Sequence, residues 1–513
     1  MHPDTSLHPV FTRELSSEYE TQLLGRDIAL ALKAGDCLGL RGDLGAGKST
    51  LARAIIRHLA DDLDLEVPSP TFTLEQVYAT NPAIHHFDFY RLGDPSEVLE
   101  LGLDEALEGA VAIIEWPQNA EGMLPDNLAN IQIDIGSGDN RKITISGPPK
   151  FLCRIRRSME IRTFLRENWG ENIVRRPLTG DASTRAYELV TKEGETRLLM
   201  NAARQPDGPP VRDGKPYSQI AHLAEDVSAF VAIDLALRDA GFYAPEIFAQ
   251  DLDEGLLLTE FMGQGGVIDA ERKPIRERYL AAAELLVQLH LTDWQQQIKV
   301  SAAVTHQIPK FDRDAMTIEV ELLVDWYAPS VRGEELPEAD LQNFNQIWQG
   351  LIGRLQNSEQ TLVLRDYHSP NLIWREDAHG HNRLGLIDFQ DAVIGPSTYD
   401  LASLAQDARV DISEKLEEEL VSHYIELRVS AEPDFDVIEF RQLYMIAAAE
   451  RASKILGIFV RLHKRDKKPI YLKHIPRIRD YLERCFKNPA LGEYQDWFVK
   501  VLDRKKDDID GKY

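Results

Sequence analysis

The eight residues Gly42-Asp-Leu-Gly-Ala-Gly-Lys-Ser49 constrain this chain more than any other stretch. They match G-x-x-x-x-G-K-[ST] in full, and they lie between an apolar run, Asp36-Cys-Leu-Gly-Leu-Arg41, and a run with Leu51, Ile55 and Leu59 on one helical stripe. A strand, a glycine-rich turn and a helix in that order point backbone N–H groups at bound phosphate. Gly42, Gly45, Ala46 and Gly47 let the backbone come close, Lys48 supplies charge to the outer phosphates, and Ser49 offers a hydroxyl to Mg²⁺. The N-terminal part of the chain is therefore expected to be an α/β P-loop NTPase domain.

Val111-Ala-Ile-Ile114 reads as a second fully apolar strand, and Glu115 at its end is the carboxylate such a site needs beside the metal. Asp88, in His85-His-Phe-Asp-Phe-Tyr-Arg91, is the second candidate, while His85 and His86 read as structural. Ile131, Ile133 and Ile135 alternate with polar residues and meet Ile143 and Ile145 across the turn Gly136–Asn140, a hairpin that closes the domain. Gly147-Pro-Pro-Lys150 breaks the pattern before an amphipathic helix at 154–165, which places the boundary near 147–157 and gives domains 1–150 and 151–513.

Residues 1–150 carry 11 basic and 24 acidic side chains within a chain of net charge −26, so direct binding of a nucleic-acid backbone is not expected there. Cys37, Cys153 and Cys485 are too far apart for a metal motif or a disulfide framework. No stretch approaches the roughly 18–20 apolar residues that span a bilayer, and the N-terminus lacks a signal-peptide pattern, so a cytoplasmic protein without membrane attachment is expected.

Gly42–Thr50, Ser69-Pro-Thr-Phe-Thr73, His86-Phe-Asp-Phe-Tyr-Arg-Leu92 and Ile114-Glu-Trp-Pro117 together resemble the motifs of the TsaE ATPases. The resemblance implies the ATPase subunit of the bacterial machinery that installs threonylcarbamoyl on adenosine beside the tRNA anticodon, acting through TsaD and TsaB partners. It further implies that Lys48, Ser49 and Thr50 hold ATP phosphate and Mg²⁺, that Asp88 and Glu115 order metal or attacking water, that Thr71 sits in a switch-like loop, and that Trp116 shapes the site.

A second phosphoryl-transfer pattern lies far downstream. In Val363-Leu-Arg-Asp-Tyr-His-Ser-Pro-Asn-Leu-Ile-Trp374, Asp366 stands five residues before Asn371, and Leu386-Ile-Asp388 follows as an apolar run ending in a carboxylate. Phosphoryl transfer needs a carboxylate to orient and deprotonate the accepting hydroxyl, and oxygen ligands for Mg²⁺. Asp366 suits the first role, Asn371 and Asp388 the second. His368 reads as a loop-shaping hydrogen-bond donor and Asp400 as a loop-bracing carboxylate. Strand-like runs around a helix at 226–237, followed by helices such as 280–289 and 416–427, predict a bilobal α+β protein-kinase-like domain. Gln205–Pro216 reads as a loop and Asp503–Tyr513 as a frayed charged tail.

Residues 170–480 resemble the aminoglycoside-phosphotransferase superfamily, more closely its AmgK branch, through Gly180-Asp-Ala-Ser-Thr-Arg185, Leu364–Trp374, Ile387-Asp-Phe-Gln-Asp391, Gly395–Asp400 and Lys454–Phe459. The resemblance implies ATP-dependent phosphorylation of N-acetylmuramate or N-acetylglucosamine at the anomeric hydroxyl in cell-wall recycling. It places Gly180, Ser183 and Arg185 in a phosphate-covering turn and Glu260 and Met262 at the adenine hinge. Two departures stand out: Leu364 replaces the usual His two positions before the catalytic Asp, and Leu198-Leu-Met-Asn201 carries no phosphate-binding Lys. A kinase for another hydroxyl acceptor, such as an aminoglycoside or amino alcohol, and a nucleotide-binding pseudokinase that regulates the first domain stay open. Arg451, Lys454 and Arg461 share a helix with apolar Ile455, Leu456 and Phe459 and face either a sugar carboxylate or solvent, solvent being the simpler reading.

Overall fold

The computed structural model describes residues 11–178, 185–204 and 208–502, and it divides into two compact units, 1–179 with 190–194 and 180–189 with 195–513. Gly180, Ser183 and the tail 503–513 lie outside the described residues.

The first unit is a seven-stranded sheet. Its elements run β1 (Phe11–Leu15), α1 (Glu18–Ala31), β2 (Cys37–Arg41), α2 (Lys48–Leu59), β3 (Glu75–Tyr78), β4 (Ala83–Asp88), α3 (Leu103–Leu107), β5 (Ala110–Glu115), β6 (Leu128–Ile135), β7 (Arg141–Ser146) and α4 (Pro149–Trp169). The strand order is β1-β7-β6-β2-β5-β4-β3, with β6, β2, β5 and β4 parallel and antiparallel strands outside them. The predicted hairpin is present, Ile133 opposite Ile143 and Ile131 opposite Ile145. One face of the sheet buries Leu38, Leu40, Ile131 and Ile143 with Leu24, Ile28, Leu51, Ile55 and Ile155 from α1, α2 and α4. The other buries Phe87, Phe89, Ala112 and Ile114 with Val98 and Leu103.

Helix α4 was expected to open the second domain, yet it packs in the first unit, whose limit lies near residue 179. Phe151, Leu152, Ile155 and Met159 join the first core. Arg162 Nη2 reaches the fully buried Asp27 of α1 at 2.8 Å, and Arg175 Nη1 reaches the same oxygen at 3.1 Å. A buried carboxylate needs such partners, so α4 and the strand after it complete the charge balance of α1.

The second unit begins with antiparallel strands: Glu195–Asn201 pairs with Leu256–Glu260, which pairs with Ile247–Asp251, and the helix Val227–Asp239 packs beside them. The stretch read as a loop after Gln205 instead contains a short hairpin, Pro210 opposite Pro216 and Arg212 opposite Lys215. Thereafter helices dominate: Arg276–Leu291, Arg313–Leu322, Glu338–Gln356, Glu414–Ala431 and the long Val437–Lys464, with Ile475–Cys485 and Gly492–Leu502 closing the lobe. Two small antiparallel strand pairs carry the second motif: Gln360–Val363 with Val393–Pro396, and, between them in sequence, Leu372–Trp374 with Leu384–Leu386.

Helix Val437–Lys464 crosses Arg313–Leu322 at backbone contact, because a Cβ on Gly457 would stand 2.2 Å from the Leu322 carbonyl oxygen. Gly457→Ala is expected to lower the unfolding free energy by about 1–3 kcal/mol through overpacking. Gly350→Ala, in a helix with open space around the added methyl, is expected to raise it by about 0.5–1 kcal/mol. Urea midpoints of the two variants check both signs, and an unchanged Gly457→Ala would contradict the crossing.

Candidate functional sites

The first site lies at the C-terminal edge of the parallel strands. Gly42 has φ +142°, and a side chain there would meet the Ile133 carbonyl at 2.4 Å; Gly47, at the start of α2, has φ +112°. Both positions admit only glycine without strain. Ala46 is fully buried, its carbonyl held by Arg141 Nε at 3.0 Å, and Thr50 follows in the first turn of α2. The Lys48 ammonium donates to the Gly42 and Asp43 carbonyls at 2.8 and 2.9 Å and lies 3.7 Å from the centre of the Trp116 ring. Burial lowers its pKa, and the charges of Glu115, Asp88 and Asp43 offset part of that.

Asp88 and Glu115 are register partners at the ends of β4 and β5, so strand pairing alone sets the two carboxylates side by side. Both are 2% exposed. Glu115 accepts from the Ser49 hydroxyl at 2.8 Å and from His86 Nε2 at 3.1 Å. Asp88 accepts from the hydroxyls of Ser69 and Thr71, the latter at 2.8 Å, and from the Tyr90 amide at 2.9 Å. Ser49 and the two carboxylates form a set of hard oxygen donors beside the helix N-terminus, a fit to Mg²⁺ that also contacts a phosphate. His86, read from the sequence as structural, bonds Glu115, and Ser69 had no assigned role; the period-two spacing of His86 from Asp88 is the signal that places those two on the same face of the strand.

The second site is built on the turn after Gln360–Val363. Asp400, fully buried, accepts the Leu364 amide at 2.6 Å and the Arg365 amide at 2.9 Å. Asp407, also fully buried, accepts the Ser369 amide at 2.8 Å and the Tyr279 hydroxyl at 3.0 Å. Asn371 Nδ2 donates to the Asp366 carbonyl at 2.8 Å and lies 3.5 Å from Asp388 Oδ2. Asp366, Asn371 and Asp388 are thus brought together, with the Asp366 carboxylate 49% exposed in the opening. The Asn371 amide and the Asp388 carboxylate supply oxygen ligands of the type Mg²⁺ takes.

Loss of part of its hydration to the surrounding protein raises the half-exposed Asp366 carboxyl, but the charges of His368, Lys454, Arg451 and Arg365 outweigh that and hold it below its ordinary value. Asp388 is pushed up, by burial and by the charge of Asp366, against the opposing pull of Gln390 and Arg185. Arg185 Nη1 lies 3.7 Å from Asp388 Oδ1. Glu260 ends its strand bonded to the Tyr243 hydroxyl, and the Met262 methyl occupies the space that a Cβ on Gly385 would take.

Two expectations change. His368 was read as a hydrogen-bond donor, but its Nδ1 is buried without a partner, and its ring lies 3.9 Å from both Asp366 and Asp407. Of the two readings for the cations of helix Val437–Lys464, solvent was the simpler, but Arg451 is 6% exposed and Lys454 Nζ donates to the buried Glu319 at 2.8 Å.

Two family models match the chain: threonylcarbamoyl adenosine biosynthesis protein TsaE over residues 15–143, and the phosphotransferase enzyme family over residues 174–436. An N-acetylmuramate/N-acetylglucosamine kinase of Caulobacter vibrioides is 33% identical over 353 residues, 66% of this chain and 95% of that protein. A kinase of the same description from Pseudomonas aeruginosa is 29% identical over 340 residues, 64% of this chain and 90% of that protein. The tRNA threonylcarbamoyladenosine biosynthesis protein TsaE of Rickettsia felis is 39% identical over 132 residues, 26% of this chain and 77% of that protein.

Burial pushes the Asp400 carboxyl up to about 7 from 3.8, against its two backbone hydrogen bonds. Between those values the folded chain holds a proton that the unfolded chain releases, so the contribution of Asp400 to stability falls as pH rises through that window. Asp400→Asn is expected to flatten this dependence, changing the pH 4 to pH 8 difference in unfolding free energy by a few kcal/mol, on the order of the pKa shift. Urea titrations at both pH values check it; parallel curves for the two proteins would contradict the assignment.

Proposed function

The chain belongs to the TsaE family over residues 15–143 and to the phosphotransferase enzyme family over residues 174–436, and from that premise we propose two ATP-consuming activities on separate sites. The first unit hydrolyses ATP as the ATPase subunit of tRNA threonylcarbamoyladenosine formation, working with TsaD and TsaB. Its excess of acidic over basic residues supports an indirect role, in which partners hold the tRNA. Lys48 serves the phosphates, Ser49 and Glu115 a Mg²⁺ ion, and Asp88 the attacking water.

The second unit phosphorylates the anomeric hydroxyl of N-acetylmuramate and N-acetylglucosamine in cell-wall recycling. The observation that carries this reading is the convergence of Asp366, Asn371 and Asp388, with Asp366 ionised and open to an acceptor. Asp366 takes the proton of the C1 hydroxyl as that oxygen bonds to the γ-phosphorus, and the bond from phosphorus to the β,γ-bridging oxygen breaks to release ADP. Asn371 and Asp388 would hold Mg²⁺, which neutralises charge shared by the β- and γ-phosphates. Arg185, beside Asp388, takes the phosphate-facing role of the lysine missing at Leu198–Asn201, while Glu260 and Met262 border the adenine. No helix among the described residues is long and apolar enough to cross a membrane, and both activities draw on cytoplasmic ATP, which supports a cytoplasmic location.

Incubation of the full chain with ATP and either sugar should yield an anomeric phosphate by phosphorus NMR. Asp366→Asn should cut that transfer by about 10²–10⁴-fold and leave ATP hydrolysis at the first site intact. Lys48→Ala should do the reverse. Loss of both activities from either substitution would refute separate sites, and transfer to neither sugar would refute the acceptor assignment.

A further inference from the structure

The inward face of helix Val437–Lys464 carries a row of cations. Arg451, Lys454 and Arg461 stand three and then seven residues apart, which keeps them on one stripe. Lys454 Nζ donates to Glu319 Oε1 at 2.8 Å and to the Tyr399 hydroxyl at 3.2 Å. The same Glu319 oxygen accepts from Arg365, the residue immediately before Asp366. One carboxylate therefore ties the Lys454 ammonium to the catalytic turn. Glu319 is fully buried and Arg365 nearly so, whereas the Lys454 side chain keeps 14% exposure.

Arg451, one turn before Lys454, is more than nine-tenths buried and its Nε has no hydrogen-bond partner. Arg461 lies with its guanidinium carbon 5.0 Å from the centre of the Tyr217 ring, and its Nε is likewise buried without a partner. Glu450, beside Arg451 in sequence, is fully buried with both carboxylate oxygens unbonded, and burial together with the charge of Glu319 pushes its pKa well up. Lys454 and Arg365 thus share the one Glu319 carboxylate, while the charges of Arg451 and Lys454 both act on Asp366 and that of Arg451 also on Asp400. A buried cation is stabilised when an anion hydrogen-bonds to it, and the Arg451 Nε is buried with no such partner.

We propose that Arg451 and Lys454 form a subsite for a carboxylate on the acceptor, so that the kinase prefers an acidic amino sugar to its neutral parent. The proposal rests on the sugar-kinase reading above. N-acetylmuramate and N-acetylglucosamine differ by a lactyl ether whose carboxylate supplies the anion, and they share the C1 hydroxyl that Asp366 addresses. The same cations offer a hydrogen-bonding fork and an ammonium to one carboxylate, a charge-assisted pairing that outlasts solvent competition because the wall is largely buried.

The test is the ratio of kcat/KM for N-acetylmuramate to that for N-acetylglucosamine, measured with the full chain. Lys454→Met and Arg451→Met should each lower this ratio by about tenfold or more, through KM for the acid sugar. Lys454→Arg, which keeps the charge and the Glu319 contact, should retain the wild-type preference, and its melting temperature reports whether the helix still packs. An equal penalty on both sugars, or a rise confined to KM for ATP, would assign the cations to the nucleotide phosphates and overturn this proposal alone. Transfer to neither sugar by the wild type would overturn it together with the acceptor assignment.

Discussion

Asp400 and Asp407 are the two buried carboxylates on which the second active site depends. The turn they hold places Arg365 at φ +67°, a left-handed conformation that costs a side-chain-bearing residue roughly 1–2 kcal/mol. Four hydrogen bonds oppose that cost: Asp400 to the Leu364 and Arg365 amides, and Asp407 to the Ser369 amide and the Tyr279 hydroxyl. Even at the roughly 0.5–1.5 kcal/mol of an uncharged hydrogen bond each, four such bonds together outweigh the strain. Arg365 adds its own anchor by pairing with Glu319 and with the Ala221 carbonyl. With the backbone fixed on both sides, Asp366 and Asn371 leave the turn at a set distance from Asp388 instead of sampling a loop.

The first site reaches a similar arrangement without a strained side-chain-bearing residue in its loop. The left-handed positions of its phosphate loop are glycines, and its carboxylates are aligned by the register of β4 against β5. A sheet edge is stiff, so Asp88 and Glu115 need only local partners, Thr71 and Ser69 for one and Ser49 and His86 for the other. Trp116, directly after Glu115, adopts φ +60° and turns its ring over Lys48. The two sites thus answer one electrostatic demand, charge complementary to a phosphoryl group, with two different supports: a sheet edge in one unit, a carboxylate-braced turn in the other.

What the sequence shows of this follows the range of each interaction. Strand β2, the phosphate loop, helix α2 and the β6–β7 hairpin are legible because their signals are contiguous: apolar runs, glycines at fixed offsets, alternation about a turn. The catalytic turn is legible for the same reason, through the spacing of Asp366, Asn371 and Asp388. Helix α4 is not, because a Pro-Gly break before an amphipathic helix looks like a new domain, and the residue that holds the helix back, Asp27, lies 135 positions away from Arg162. Asp407 escapes notice likewise. It stands 38 residues from the amide it accepts, and nothing in Gln406-Asp-Ala408 marks it as a brace.

The cations of helix Val437–Lys464 show why periodicity misleads in the middle of a lobe. Amphipathic reasoning supposes one wet face and one dry face, and Arg451 and Lys454 beside Ile455 and Leu456 then belong to the wet one. Here the helix is packed by Arg313–Leu322, Thr398–Ala405 and Ile475–Cys485, and buried residues surround it from Ala447 to Ser453. No face remains for solvent at that level, so a charge there is either paired within the chain or waiting on a ligand. Glu319 pairs with Lys454 and Arg365 together, one acid for two cations, while Arg451 is buried with its Nε unbonded and its charge acts on Asp366. A buried Arg451 Nε without a hydrogen-bond partner, on the same helix as a lysine that shares its acid with Arg365, is what the proposed preference for an acidic acceptor rests on.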